Sequence, residues 1–208
     1  MVRTNSAPAR PQPRLYLLTP PLDGADRDAI LKAIRAAGKA ADVAAILLRP
    51  GTAKAADLAP LVEAAHAIGA ACLIETDVAL ADALGADGAH LDSADALKVA
   101  LPALRPHGIA GTGGLRTKHE AMSAGELGAD YVMFGEPDAA GRRPAFDATL
   151  ERTDWWAQLF EPPCVAFAAS LEEVEALSEA GADFIALDIL AFDGDTLAAV
   201  AARLAGER

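Results

Sequence analysis

The chain has 208 residues, of which 52% are hydrophobic and 23% are charged, so it can bury one core of moderate size. Its formal net charge of −12 disfavours DNA, RNA and anionic membranes as partners, because these carry charge of the same sign. No apolar run approaches the ~20 residues that a membrane-spanning helix needs, so we expect neither a nucleic-acid nor a membrane partner.

The first 13 residues, MVRTNSAPARPQP, lack the apolar segment that a secretion signal requires. We predict a disordered tail over residues 1–13, a single domain over residues 14–208, and a cytoplasmic location. The two cysteines, Cys72 and Cys164, each open an apolar run and are expected to be buried rather than joined in a disulfide. The four histidines do not show the spacing of zinc ligands.

A short phrase beginning with Gly-Ala-Asp recurs three times along the chain. GADGAHLD begins at Gly85, GADYVMFG at Gly128 and GADFIALD at Gly181. Each copy follows an alanine-rich amphipathic stretch and continues into a short apolar run. A glycine in the left-handed conformation ends a helix, and a strand that is apolar on both faces is typical of a buried parallel sheet. The repeat therefore predicts an array of helix–turn–strand units.

Taken in chain order, the pattern predicts strands that alternate with helices. The strands are Leu15–Thr19, Val43–Leu48, Ala71–Glu75, Asp87–Leu91, Gly108–Gly111, Asp130–Phe134, Cys164–Phe167 and Asp183–Leu187. The helices are Ala25–Ala37, Ala53–Ile68, Asp77–Leu84, Asp95–Leu104, Thr117–Leu127, Asp147–Leu159, Leu171–Ala180 and Thr196–Ala205. Because parallel strands need helical crossovers and eight such units close a barrel, we predict an α/β fold with a single (β/α)8 TIM barrel. An open doubly wound sheet is the alternative, but no glycine-rich dinucleotide turn follows the first strand.

A barrel of this kind binds small molecules at the carboxyl ends of its strands, and we expect a small-molecule ligand at this mouth. The longest connection, from Gly135 to Phe146, lies at this end, and loops of such length are often functional. The candidate substrate-binding residues at the mouth are Arg49, Thr112, Arg142, Arg143 and Asp188.

Several of these candidates also have a structural interpretation. Arg49 fits a bidentate grip on a carboxylate or phosphate, and it fits equally an ion pair with Glu75 of the neighbouring strand. Arg142 and Arg143 fit either a loop that closes over an anion or a solvated turn. His90, inside the fourth strand, is more typical of a buried, hydrogen-bonded histidine than of a catalytic base.

The order of motifs along the chain resembles that of the thiamine phosphate synthase family, which includes related thiazole tautomerases. The motifs are LYLLT in the first strand, ILLRP in the second, CLIETDVALADALGADGAHLD across the third and fourth, GADYVMFGEP in the sixth and GADFIALD in the eighth. The resemblance covers nearly the whole chain from Arg14, and ALGADGAHL is its most specific element.

This resemblance implies a transferase of thiamine biosynthesis that joins a pyrimidine diphosphate to a thiazole phosphate and releases pyrophosphate. It also implies Mg²⁺ as a cofactor, with Asp95 near a metal-ligand position, although a carboxylate there also suits the first turn of a helix. Several family groups are replaced. Thr76 stands where a metal-binding aspartate is usual, Ala168 and Ala169 stand where a glycine pair holds a phosphate, and Asp188 stands where a Val-Ser pair begins.

These replacements remove anion-binding groups and add carboxylates. They predict a divergent member of the family that binds a different small ligand or has an accessory role. The first alternative is an active synthase with a rebuilt site, in which Arg49, Arg142 and Arg143 neutralise pyrophosphate and Asp95 holds Mg²⁺.

Two further alternatives follow from other parts of the chain. A thiazole tautomerase would need a histidine near the fifth strand, and His119 is the nearest candidate. A non-catalytic barrel would act through its surface, with Trp155 and Trp156 as the suspected contacts. One of these two tryptophans is expected to pack beneath the barrel wall, and the other fits the subunit contact of a homodimer.

Overall fold

The fold is described from a computed structural model, which describes residues 11–138 and 140–205. The strands are β1 (Arg14–Pro21), β2 (Val43–Arg49), β3 (Ala71–Glu75), β4 (Gly88–Leu91), β5 (Ile109–Thr112), β6 (Tyr131–Phe134), β7 (Cys164–Phe167) and β8 (Phe184–Asp188). The helices are α1 (Arg27–Ala40), α2 (Ala55–Ala67), α3 (Val78–Leu84), α4 (Ala94–Leu104), α5 (Lys118–Leu127), α6 (Phe146–Leu159), α7 (Leu171–Glu179) and α8 (Gly194–Leu204). The predicted tail lies outside the described residues, apart from residues 11–13, which lead into β1.

The strands form one closed parallel barrel in which each strand pairs with its sequence neighbours and β1 pairs with β8. The predicted (β/α)8 TIM barrel is confirmed, and every predicted strand and helix has a counterpart. β1 extends beyond its predicted end because Pro21 pairs with Arg49 and Leu22 donates its N–H to the Arg49 carbonyl. Within the described residues, no helix combines the length and apolar character needed to cross a membrane.

The aspartates of the Gly-Ala-Asp repeat share one structural role, which is to attach each strand to the strand before it. Their carboxylates accept strand N–H groups in three pairs: Asp87 from Cys72 (2.7 Å), Asp130 from Ala110 (2.7 Å) and Asp183 from Cys164 (2.8 Å). The backbone N–H of each aspartate donates to the carbonyl of the same partner residue. This two-point attachment sets the register of β3 with β4, β5 with β6 and β7 with β8.

Removing one of these carboxylates is expected to destabilise the barrel. The Asp183→Ala variant should lose about 1–2 kcal/mol of unfolding free energy, because the Cys164 N–H loses this acceptor. Asp183→Asn keeps an acceptor oxygen and should lose less. Urea denaturation followed by circular dichroism measures both losses. Equal losses in the two variants would show that the attachment does not depend on this hydrogen bond.

Two hydrophobic layers fill the molecule. The outer layer, between the strands and the helices, is mostly aliphatic and rich in alanine. The inner layer fills the barrel and contains Tyr16, Tyr131 and Phe167, with the two tyrosine hydroxyls 2.8 Å apart. Cys72 and Cys164 are both described and buried, and no disulfide joins them, as predicted.

Helix α6 is anchored to the barrel by Trp156. This side chain is fully buried, stacks on Phe160 with ring centroids 4.2 Å apart, and donates its indole N–H to the Pro162 carbonyl (2.7 Å). Trp155 lies nearer the surface, with the Lys118 ammonium 5.2 Å from its ring centroid. The prediction that one tryptophan packs beneath the barrel wall is therefore confirmed, and a subunit contact at Trp155 stays a prediction.

Candidate active site

A cavity of about 690 Å³ opens at the carboxyl ends of the strands, where a ligand site was predicted. Among the described residues, those that line the cavity lie on one side of the mouth. They are at the ends of β2 to β6, in the loops that follow these strands, and in α6. Five arginines line it: Arg49, Arg116, Arg142, Arg143 and Arg152. Four carboxylates line it as well: Glu75, Asp92, Glu136 and Asp138. The cavity therefore combines both signs of charge in a chain that is strongly acidic overall.

Arg49, the last residue of β2, is buried at the base of the cavity. Its Nε donates to Glu75 Oε1 at 2.9 Å, so the predicted ion pair exists. Its backbone N–H donates to the Thr19 hydroxyl (3.1 Å), which fixes the end of the strand. The residue both pairs with Glu75 and faces the cavity, so the two interpretations of Arg49 are compatible.

The long loop between β6 and α6 is held by two ion pairs. Asp138 accepts from the backbone N–H and the guanidinium of Arg142, with Arg142 Nη2 2.9 Å from Asp138 Oδ2. Arg143 forms a bidentate pair with Glu173 of α7 (3.2 and 2.8 Å), and its guanidinium lies over the Phe167 ring. The loop therefore presents two arginines to the cavity and is tied to the neighbouring helix.

Glu136 and His90 converge at Gly113, just after β5. A Cβ atom on Gly113 would lie 2.2 Å from Glu136 Oε1 and 2.8 Å from His90 Nε2, so only glycine leaves room for both side chains. The Gly114 N–H donates to Glu136 Oε1. Burial raises the pKa of the Glu136 carboxyl, which favours its neutral form.

His90 belongs to a buried chain of hydrogen bonds inside the barrel. Its Nδ1 lies 2.8 Å from the Tyr131 hydroxyl, which in turn lies 2.8 Å from the Tyr16 hydroxyl. Burial, together with the nearby Arg49 charge, lowers the pKa of His90 to about 3, so its imidazole is neutral near pH 7. The prediction of a buried, hydrogen-bonded histidine is confirmed, and His90 also lines the cavity.

The partly buried Glu136 carboxyl should make stability depend on pH. Since its folded-state pKa is raised, its contribution to stability is full below the unfolded-state pKa and is lost as pH rises through the folded-state pKa. Glu136→Gln stays neutral, so the stability of this variant relative to the wild type should rise from about pH 4, near the ordinary pKa of a glutamate, towards neutral pH. Urea denaturation across that range measures the difference.

A matched control uses a carboxyl whose pKa moves the other way. Lys118 lowers the pKa of the exposed Glu151 carboxyl, so the stability of Glu151→Gln relative to the wild type should fall as pH rises towards about 4.3 and stay flat above it. A flat difference for Glu136→Gln would contradict the account of this site.

The predicted substrate-binding residues divide into two groups. Arg49, Arg142 and Arg143 line the cavity together. Thr112 is buried at the end of β5, and Asp188 lies at the end of β8; neither lines the cavity, and their roles stay predictions.

Other residues named from the sequence lie elsewhere, and one cavity residue was missed. His119 is exposed on α5 and does not line the cavity. Arg152 does line it, with its guanidinium donating to the Leu115 carbonyl (2.9 Å). Arg152 could not be predicted from the ends of the strands, because it lies inside a helix. The available signal was its position beside Thr149 and Thr153, which form the buried face of α6.

A (β/α)8 barrel with a charged cavity at the carboxyl ends of its strands has the layout of barrel enzymes that act on small substrates. The family model described as thiamine monophosphate synthase matches residues 15–188, and the chain belongs to this family. The resemblance inferred from the sequence motifs is therefore confirmed.

Individual relatives agree with the family match. The chain is 37% identical to the thiamine-phosphate synthase of Hyphomonas neptunium over 88% of both chains. It is 41% identical to that of Erythrobacter litoralis over 67% of both chains. A solved structure of a thiamine phosphate pyrophosphorylase from Pyrococcus furiosus superposes with a TM-score of 0.73, covering 94% of this chain and 96% of that one. At 22% identity, this last similarity shows the fold alone.

The family generally uses Mg²⁺, and the carboxylates that line the cavity are the candidate ligands. Each of them already has a hydrogen-bond partner. Arg49 pairs with Glu75 and Arg142 with Asp138. The Gly114 N–H donates to Glu136, and the Ser93 hydroxyl donates to Asp92 (3.3 Å). Asp95 lies in the first turn of α4 and does not line the cavity. Among the described residues, no three side chains of metal-binding types come together. These side chains do not fit a preformed Mg²⁺ site, and Asp95 as a ligand stays a prediction.

Proposed function

We propose that the chain is an active synthase of its family, which joins a pyrimidine diphosphate to a thiazole acceptor and releases pyrophosphate. The observation that carries this proposal is the presence of five arginines on one cavity, in a chain whose net charge is −12. The relatives support this activity better than the expectation of a lost synthase site, because proteins named thiamine-phosphate synthase match at 31–41% identity.

The arginines would act on the leaving group. Pyrophosphate departs with the electron pair of the bond that breaks, so negative charge grows on its oxygens. No carboxylate of the described chain lies within ion-pair distance of Arg116 or Arg152, so both charges are available to an anion. Arg49, buried at the base of the cavity, adds a charge that water screens little.

A divergent member that binds a different small ligand is the second candidate. It is favoured by the ion pairs of Arg49 with Glu75, Arg142 with Asp138, and Arg143 with Glu173, which reduce the positive charge offered to a diphosphate. This candidate predicts that no pyrophosphate is released. A cytoplasmic location and a homodimer are compatible with either candidate and stay predictions.

The two candidates differ in one assay. The full-length protein is mixed with pyrimidine diphosphate, Mg²⁺ and a thiazole acceptor, offered in separate reactions as the phosphate and as the corresponding alcohol. The proposal expects pyrophosphate release that requires the acceptor, and rescue of a thiamine auxotroph would agree with it. If soluble, folded protein releases no pyrophosphate with either acceptor, the synthase is rejected and the second candidate is favoured.

A further inference from the structure

The side of the barrel mouth formed by β7 and β8 is closed by the chain's own carboxylates. Barrels of this type frequently bind a substrate phosphate on the loops after these two strands, through backbone N–H groups at the start of a helix. Here the cavity is lined only by residues from the β2 to β6 side among those described. On the other side, three backbone N–H groups donate to carboxylates of the chain itself.

Glu173 fills the first of these positions. The Ala169 N–H, which follows β7, donates to Glu173 Oε2 at 2.8 Å. The Ser170 hydroxyl accepts from the Glu173 N–H (3.3 Å), so Glu173 is fixed in the first turn of α7. Arg143 then holds the same carboxylate in a bidentate pair. A phosphate placed at the Ala169 N–H would have to displace a carboxylate that is held by three hydrogen bonds, one from Ala169 and two from Arg143.

Asp188 fills the second position. The Leu190 N–H donates to Asp188 Oδ1 at 2.8 Å, and the Ala191 N–H does so at 3.3 Å. Two further N–H groups at these strand ends are bonded within the sheet, since Ala168 donates to the Ala186 carbonyl and Ile189 to the Leu18 carbonyl. A phosphate approaching either loop would meet a carboxylate and no available backbone donor among these groups.

We infer that Glu173 and Asp188 determine the acceptor specificity, and that the preferred thiazole acceptor carries a free hydroxyl in place of a phosphate. The inference rests on the proposed function and narrows its second substrate. The arginine-lined side takes the diphosphate, whose negative charge it matches. On the other side, the Ala169, Leu190 and Ala191 N–H groups are bonded to carboxylates that would repel a second phosphate, whereas a neutral alcohol meets no such repulsion.

The test compares two acceptors. For the wild type, kcat/KM for pyrophosphate release should be at least about tenfold higher with the thiazole alcohol than with thiazole phosphate. Glu173→Gln keeps an oxygen for the Ala169 N–H, removes the charge and releases Arg143, so this preference should fall by about tenfold or more. Glu172→Gln, which changes an exposed charge in the same turn, should leave the preference unchanged.

Asp188→Asn repeats the test on the other loop, so the inference does not depend on the folding of a single variant. A wild type that prefers thiazole phosphate would overturn the inference, and so would an unchanged preference in both variants. If neither acceptor supports pyrophosphate release, the proposed function fails separately, and calorimetric titration with the two thiazoles decides the inference. Tighter binding of the alcohol would support it, and tighter binding of the phosphate, or binding of neither, would overturn it.

Discussion

Arg49→Met is expected to lower kcat/KM for pyrophosphate release by about 100-fold or more. The residue is 7% exposed and lies at the base of the cavity, where its charge is poorly screened by water. Methionine keeps much of the apolar stem but removes the charge that would stabilise the leaving group. Steady-state measurement of pyrophosphate release, with pyrimidine diphosphate varied, gives the loss directly.

Part of that loss could arise from the Glu75 carboxylate that Arg49 leaves behind. The Arg49→Met/Glu75→Gln double variant removes both charges and should recover stability without recovering activity. Arg105→Met is a matched control, since Arg105 forms an exposed pair with Asp130 outside the cavity. Its activity should stay within about twofold of the wild type. Full activity in the double variant would show that Arg49 serves only to pair with Glu75.

Trp156→Ala is expected to reduce the free energy of unfolding by about 3–5 kcal/mol. The indole is fully buried, lies against the Phe160 and Phe134 rings, and satisfies the Pro162 carbonyl with its N–H. Alanine would leave a large cavity between α6 and the barrel and an unbonded carbonyl oxygen. Urea denaturation monitored by circular dichroism measures the loss.

Two variants test whether the loss of stability comes from the buried packing of Trp156 or would follow from changing any tryptophan in this helix. Trp156→Phe keeps an aromatic ring but loses the indole N–H, so it should cost less than Trp156→Ala. Trp155→Ala changes the neighbouring, less buried tryptophan and should also cost less. If Trp155→Ala destabilised the protein as much as Trp156→Ala, the anchoring role assigned to Trp156 would be wrong.

The barrel could be predicted because its sequence signals are local and repeated. Gly85 and Gly128 end their helices in the left-handed conformation, as a glycine at these positions predicts. The aspartate two residues later immediately precedes each strand and attaches it to the strand before. What the repeat did not reveal is that the aspartate side chain, and not only its backbone, makes this attachment.

The mouth could be predicted only in part, because strand ends identify which residues are near the mouth and not which ones converge. Arg49 and Arg143 line the cavity, whereas Asp188 turns back onto its own loop. Glu173 lies in the first turn of α7, where an acidic residue is common in any helix, so its pairing with Arg143 could not be predicted without the tertiary structure. Arg152 was missed for the same reason, since its helix and not a strand carries it to the cavity.

The central claim is that this cavity holds a diphosphate and releases pyrophosphate. Pyrophosphate can be quantified after the full-length protein is incubated with pyrimidine diphosphate and Mg²⁺, with and without a thiazole acceptor. The account predicts release that requires the acceptor and is lost in Arg49→Met but retained in Arg105→Met. Absence of acceptor-dependent release from folded wild-type protein, or equal release from Arg49→Met, would contradict it.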